Sequence, residues 1–326
     1  MKIMITGATG YIGHNLAMAA ARRNHLVNVL VRDIQSLFLP VHANIRVIKG
    51  DILDKVSVLH AMEGCNQVYH TAAMVAVWAK NSSEYFEVNI EGTRNVLEAA
   101  LQCGIEKLVV TSTCGVIGPS LHEPMCETDP RIAGFSVDYE LSKKIGEDLA
   151  FQYARQGLNV VVVSPSKVFG PGNVSHSLTA NAVIKRFLNN GFAIIPSPGT
   201  YKACFAYIDD VVNGHLLAME KGRSGEKYIL GGINISYRDF FDRIRSLSFC
   251  KGKIIQFSKA IVKVWAFLQQ LRYRILGIPP QFPVKAVDIL FSNYTFSSEK
   301  ASRELGYKIT PLDDALNKTI NHFKKN

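Results

Sequence analysis

Tyr139 and Lys143 stand four positions apart in D-Y-E-L-S-K-K, residues 138 to 144, where leucines and isoleucines recur at helical spacing. A helix stacks two such side chains one turn apart on one face. A tyrosine near its reference pKa of about 10 is a poor base at neutral pH, whereas an ammonium one turn away favours the phenolate and lowers that value. The two are a candidate acid/base couple. Gly146 and Ala150 continue the row with small side chains, while Leu141, Ile145 and Leu149 mark a face able to pack into the body. The spacing also fits a half-buried aromatic beside a solvated cation, so the remaining chain has to supply the reactant.

Upstream, T-G-A-T-G-Y-I-G places Gly7, Gly10 and Gly13 between a first apolar run and a helical segment. Glycines there let the backbone turn tightly and approach a pyrophosphate, whose charge is favoured by free N–H groups at a helix N-terminus. The second apolar run ends V-L-V-R-D. Arg32 at that tip can pair with an added 2′-phosphate and favours NADP, while a carboxylate such as Asp33 can accept from an adenosine ribose and leaves NAD open. Asp51, in K-G-D-I, is a candidate for the adenine end or for a helix N-cap. Hydroxyls follow in T-S-T, residues 111 to 113, at the carboxyl edge where open parallel sheets bind ligands.

The elements that must position these groups alternate. Residues 2 to 6, 26 to 31, 45 to 48, 67 to 70, 107 to 112 and 159 to 163 are apolar runs with strand character, separated mostly by helix-length segments such as residues 82 to 100. Continuous hydrophobicity, as in N-V-V-V-V, predicts strands covered on both faces. The fold class is therefore α/β, a doubly wound parallel sheet of the Rossmann type with a smaller C-terminal substrate-binding lobe. Past about residue 164 the rhythm breaks at P-G-N, residues 171 to 173, and I-P-S-P-G, residues 195 to 199. Residues 1–165 are assigned to the dinucleotide-binding domain and 166–326 mainly to the lobe, interleaved with the last sheet strands.

With 326 residues, 48% hydrophobic and 20% charged, the chain is an ordinary globular protein able to bury a large core. No run approaches the roughly eighteen apolar residues of a membrane span. The opening K-I-M-I-T-G reads as a strand, which leads to the expectation of a cytoplasmic protein without a leader. Six cysteines without a C-x-x-C pair suggest reduced thiols, with neither a metal site nor a disulfide framework. The net charge of +10 gathers late, at Lys251, Lys253, Lys259, Lys263, Arg272, Arg274 and Lys285, without the interleaved aromatics that stack bases. Nucleic acid is not an expected partner.

In this order T-G-A-T-G-Y-I-G, H-T-A-A at 70 to 73, V-N-I-E-G-T at 88 to 93, T-S-T, Y-E-L-S-K and P-S-K-V-F-G-P-G at 165 to 172 resemble the extended short-chain dehydrogenase/reductases, the NAD(P)-dependent epimerase, dehydratase and reductase family. Near relatives by V-Y-H-T-A-A, the Trp78 region, F-A-Y-I-D-D-V-V-N-G-H and Y-I-L-G-G are the dihydroflavonol 4-reductase-like and hopanoid-associated sugar epimerase-like proteins. The resemblance implies that Tyr139 is the acid/base, that Lys143 tunes it and holds the cofactor ribose, and that Thr113 rather than Ser112 steadies the substrate oxygen. It implies dinucleotide contacts from Gly7, Thr9, Gly10, Tyr11, Ile12, Gly13, Arg32, Asp51, Ile52, Thr71, Ala72, Ala73, Pro165 and Val168 besides Tyr139 and Lys143. Asn89 would support the site and Val168 and Phe169 approach the nicotinamide, although core packing accounts for these three equally well. The chain departs from the pattern at Ser164, where many relatives carry arginine, and at Cys114 and Gly115, where 4,6-dehydratases carry an acidic pair. Elimination is disfavoured.

The expected activity is reduction of a ketone or aldehyde with NADP, or with NAD. The alternatives are a nucleotide-sugar epimerase with retained NAD and a non-catalytic dinucleotide-binding redox sensor. The resemblance also implies a homodimer through residues 82 to 102 and 138 to 156. In the variable half, residues 258 to 276 predict a helix with Ile261, Trp265, Leu268 and Ile275 on one stripe and Lys259, Lys263 and Arg272 largely outside it. Packing on the lobe's own core is the first reading, with a lid over an apolar substrate and a membrane-surface contact as alternatives. His70 and His215 lack partners at ligand spacing and read as structural.

Overall fold

The computed structural model describes residues 1–76, 78–172, 180–280 and 282–325; Asn173, the last residue of the P-G-N cluster, lies outside them. β1 (Lys2–Thr6), β2 (Leu26–Val31), β3 (Ile45–Lys49), β4 (Gln67–His70), β5 (Lys107–Thr111) and β6 (Val160–Pro165) coincide with the apolar runs to within two residues at each end. Then come β7 (Lys167–Phe169), β8 (Phe192–Pro196), β9 (Lys202–Tyr207), β10 (Lys227–Leu230), β11 (Ile233–Ser236) and β12 (Lys253–Phe257).

The main sheet runs β10-β6-β5-β4-β1-β2-β3, with every neighbouring pair parallel. Side chains alternate across it, so Ile3, Ile5, Val109, Val161 and Val163 join one core while Met4, Leu108, Val110, Val160 and Val162 join the other. Helices Tyr11–Arg22 and Ile208–Lys221 cover the first face; Lys55–Met62, Gly92–Gln102 and Asp138–Arg155 cover the second. This is why the strands read as unbroken valine and isoleucine. β10 falls after residue 165 yet completes the sheet beside β6.

The lobe contains β11-β9-β7 and β12-β8. Phe205 and Phe240 stack at 3.8 Å, and Phe169 meets them and Tyr207 with its ring at 5.5 to 6.4 Å. Two expectations are revised. The single helix read over residues 82 to 100 is divided into Ser83–Phe86, a wider π-helical turn over Glu87–Glu91, and Gly92–Gln102. The π turn accommodates buried Asn89, whose carbonyl receives the Thr93 hydroxyl at 2.8 Å. The helix Lys259–Leu276 does form, capped by Ser258 and by left-handed Gly277 with φ 68°, and it packs on the lobe through Val262 and Ala266 rather than through the expected stripe of Ile261, Trp265, Leu268 and Ile275, which is exposed. Only Ala266 and Gln269 of it are buried. Among the described residues no helix is long and apolar enough to cross a membrane.

Candidate active site

Strand order reverses between β1 and β4, so the chain leaves those neighbouring strands in opposite directions and opens a crevice at their carboxyl ends. Gly7 turns there with φ +74°, and a Cβ on it would lie 2.6 Å from the Ala72 nitrogen. At Gly13 a Cβ would lie 2.3 Å from the Gly7 oxygen and 2.5 Å from Thr71 Oγ1. The two loops touch backbone to backbone. Thr71 Oγ1 donates to the Thr6 carbonyl at 2.6 Å and the Ala72 N–H to Thr6 Oγ1 at 3.2 Å, with Ala73 following. Helix Tyr11–Arg22 begins at Gly10 with neither a side-chain cap nor an acidic residue in its first turn. Its leading N–H groups are thus available to an anion, and the cradle fits a dinucleotide pyrophosphate.

Thr9 lies within this turn, and Ile12 packs against the core. Tyr11 has another engagement: its hydroxyl donates to the Pro171 carbonyl at 3.2 Å, and a Cβ on Gly172 would come within 2.8 Å of its ring. It braces the turn that opens the lobe. At the end of β2, Arg32 is exposed and has no hydrogen-bond or ion-pair partner among the described residues, while Asp33 accepts the Gln35 N–H at 2.8 Å. The N-cap reading of Asp51 moves to Asp54, which accepts from Val56 and Ser57. Asp51 instead accepts the Leu53 N–H at 3.0 Å, and buried Ile52 packs against Gly92.

Thr113 lies beside Tyr139, close enough to favour its phenolate. Thr113 Oγ1 accepts the Gly115 N–H at 3.1 Å, leaving its proton free to be donated. Ser112 is engaged elsewhere, donating to buried Glu147 at 2.8 Å. Lys143 is only 4% exposed and donates to the Thr111 carbonyl at 2.7 Å. The expected lowering of the phenol is not found: burial pushes Tyr139 up to about 12, and the nearby Thr113 offsets only part of that. The ammonium points to a carbonyl, and burial holds Lys143 itself down to about 8 despite the nearby Glu147.

Asn89 lies beneath the pair, exchanging hydrogen bonds with Met74 and donating to Ser142 at 2.9 Å. Gly146 admits this contact, since a Cβ there would lie 2.7 Å from the Asn89 oxygen. Pro165 is buried at the end of β6, Val168 is partly buried, and Phe169 belongs to the aromatic core. Buried His70 and His215, bonded to threonines, are held down to about 3 and about 4 by desolvation.

Sequence reasoning missed an ionic staple beside Tyr139. Arg131 bonds Glu140 at 2.7 Å, with side chains 12% and 5% exposed, and also reaches the carbonyls of Gly115, Val116, Ala133 and Gly134. Glu140 follows Tyr139 directly, which was the available signal; Arg131 is separated from it by a loop without periodicity. Cys114 offers no acid, because its buried thiol is raised well above its ordinary value and donates to the Ser164 carbonyl.

The crevice and the uncapped helix lie at the carboxyl edge of the sheet, as does the cluster of Tyr139, Lys143 and Thr113. The chain belongs to the NAD dependent epimerase/dehydratase family, whose model matches residues 3–231. It is 27% identical to sterol demethylase protein B of Methylococcus capsulatus, over 100% of this chain and 99% of that one. A 4-hydroxy-2-methyl-3-oxo-4-farnesyl-3,4-dihydroquinoline-1-oxide ketoreductase of Stigmatella aurantiaca is 27% identical over 94% of this chain and 92% of its own. The UDP-glucuronic acid 4-epimerase of Bacillus cereus, solved with UDP-glucuronic acid and NAD, superposes with TM-score 0.80 at 25% identity, covering 100% of this chain and 99% of that one.

Removing one partner of the buried staple isolates the other charge. Arg131→Met is expected to lower unfolding stability by about 3–5 kcal/mol in urea titrations, and adding Glu140→Gln to recover part of it. A single-variant loss below about 0.5 kcal/mol would show the pair to be dispensable.

Proposed function

We propose that the protein reduces the carbonyl of an apolar ketone or aldehyde, with NADPH as hydride source. The observation that supports this reading is the grouping of Tyr139 and Thr113 at the carboxyl edge of the sheet, one helical turn from buried Lys143, in a family of dinucleotide enzymes. Reduction needs a proton donor, whereas oxidation, the first half of an epimerisation, needs a base. The bound reduced nicotinamide supplies the hydride. As charge develops on the substrate oxygen, Thr113 donates a hydrogen bond to it and Tyr139 gives up its proton; Lys143, fixed by the Thr111 carbonyl, holds the helix that carries Tyr139 in place until solvent restores the proton.

A cavity of about 230 Å³ beside Asp138, lined by Trp78, Tyr85, Val137, Pro283 and Val284 together with Ser82, Ser136, Gln270 and Lys285, has room for a substrate with an apolar part. Two relatives agree with it, the sterol demethylase protein and the ketoreductase named for a farnesylated quinoline oxide. The solved UDP-glucuronic acid 4-epimerase favours a nucleotide-sugar epimerase as the second reading. On the same reading the protein is a homodimer through residues 82 to 102 and 138 to 156.

In a panel of carbonyl compounds and nucleotide sugars, NADPH-dependent reduction is expected, and Tyr139→Phe should reduce kcat by about 10²–10⁴-fold. Sugar interconversion with tightly retained NAD would favour the epimerase instead. Arg32→Ala should raise KM for NADPH about tenfold or more and leave that for NADH within about twofold. Equal effects on both would remove the assignment of Arg32 to a 2′-phosphate.

A further inference from the structure

Helix Lys259–Leu276 carries two apolar faces where a solvated lobe helix would carry one. The inner face, through Val262 and Ala266, meets Val284, Val287 and Phe291, and its Tyr273 ring stands edge-on to Trp78 at 5.0 Å. The outer face repeats at alternating steps of three and four: Ile261, Val264, Leu268, Leu271 and Ile275. These five are 55%, 60%, 55%, 41% and 70% exposed, and Trp265 and Phe267 widen the band. Together they expose on the order of several hundred Å² of contiguous apolar surface, which marks an interaction site.

Charge identifies the occupant. Between Asp242 and Asp288 the chain has no acidic residue, while Lys251, Lys253, Lys259, Lys263, Arg272, Arg274 and Lys285 fall in that interval. Lys259 and Lys263 are drawn to Asp288, at 2.8 and 3.6 Å. Arg272, Arg274 and Lys285 are exposed and have no ion-pair or hydrogen-bond partner among the described residues. We propose that this helix docks the protein peripherally on an anionic lipid surface, its outer face in the acyl boundary and the free cations on headgroup phosphates. A second copy of the chain is a poorer occupant, because it would bring an equally cationic helix against this one. The surface rests on exposure and charge, and does not depend on which carbonyl the active site reduces.

The full chain is sedimented with vesicles of phosphatidylcholine alone or with about 30% phosphatidylglycerol, and its mass is measured by light scattering without lipid. Wild type should bind the mixed vesicles at least tenfold more tightly than the neutral ones. The double variant Leu268→Glu with Ile275→Glu should lose at least tenfold of that affinity with unchanged thermal unfolding, and Arg272→Glu with Arg274→Glu should abolish the preference for anionic lipid. Wild type left in the supernatant with both vesicles, or a double variant that binds as wild type does, would overturn the proposal. So would a lipid-free dimer that dissociates in the Leu268→Glu, Ile275→Glu variant while wild type ignores vesicles, which would assign the face to a second copy. Vesicle binding is read without turnover, so failure of the reductase reading leaves this test intact.

Discussion

A buried ammonium needs an acceptor, and Lys143 finds one in the carbonyl that ends β5. The lowering from 10.5 to about 8 corresponds to roughly 3 kcal/mol against carrying the charge in that place, so the contact has to be firm. It pins the helix Asp138–Arg155 to the carboxyl edge of the sheet and holds Tyr139 against Thr113. Around it Glu147 takes Ser112 and Lys227, each at 2.8 Å, and Arg131 takes Glu140.

The same edge is tied back to the dinucleotide cradle through the core. The Ala72 N–H donates to Thr6 Oγ1, Thr6 to His70 Nδ1 at 2.8 Å, His70 Nε2 to Thr93 at 3.0 Å, and Thr93 to the Asn89 carbonyl. The direction follows from the last link, where a carbonyl can only accept, and it fixes His70 in its neutral Nε2–H form. From Asn89 the path continues through Ser142 to the Tyr139 carbonyl at 2.9 Å. The distance between cradle and phenol is therefore set by a chain of short, directional contacts, with the π turn supplying the residue it needs.

The sheet was legible because burial on both faces leaves unbroken valine and isoleucine in the strands, and the glycine turn because only glycine fits where two loops touch. Thr113 could be placed after β5 from sequence, but its preference over Ser112 became physical only with Glu147 in view. The Arg131 staple and the His70 relay depend on side chains separated by 9 to 64 positions, and no local periodicity encodes such pairings. The sign of the Tyr139 shift was misjudged because a helical spacing reveals proximity but not desolvation. The apolar stripe of Lys259–Leu276 was visible, whereas the side of it that faces the lobe was not, since both faces carry apolar residues.

The central claim is that a buried Lys143, still charged at neutral pH, holds the proton donor in place. Carbonyl reduction measured against pH in wild type and in Lys143→Arg tests it directly. Wild-type kcat should fall as pH rises through about 8, where Lys143 loses its charge, and the guanidinium variant should retain its rate well past that point. A wild-type profile flat to about pH 10, or the same falling limb in both proteins, would contradict it.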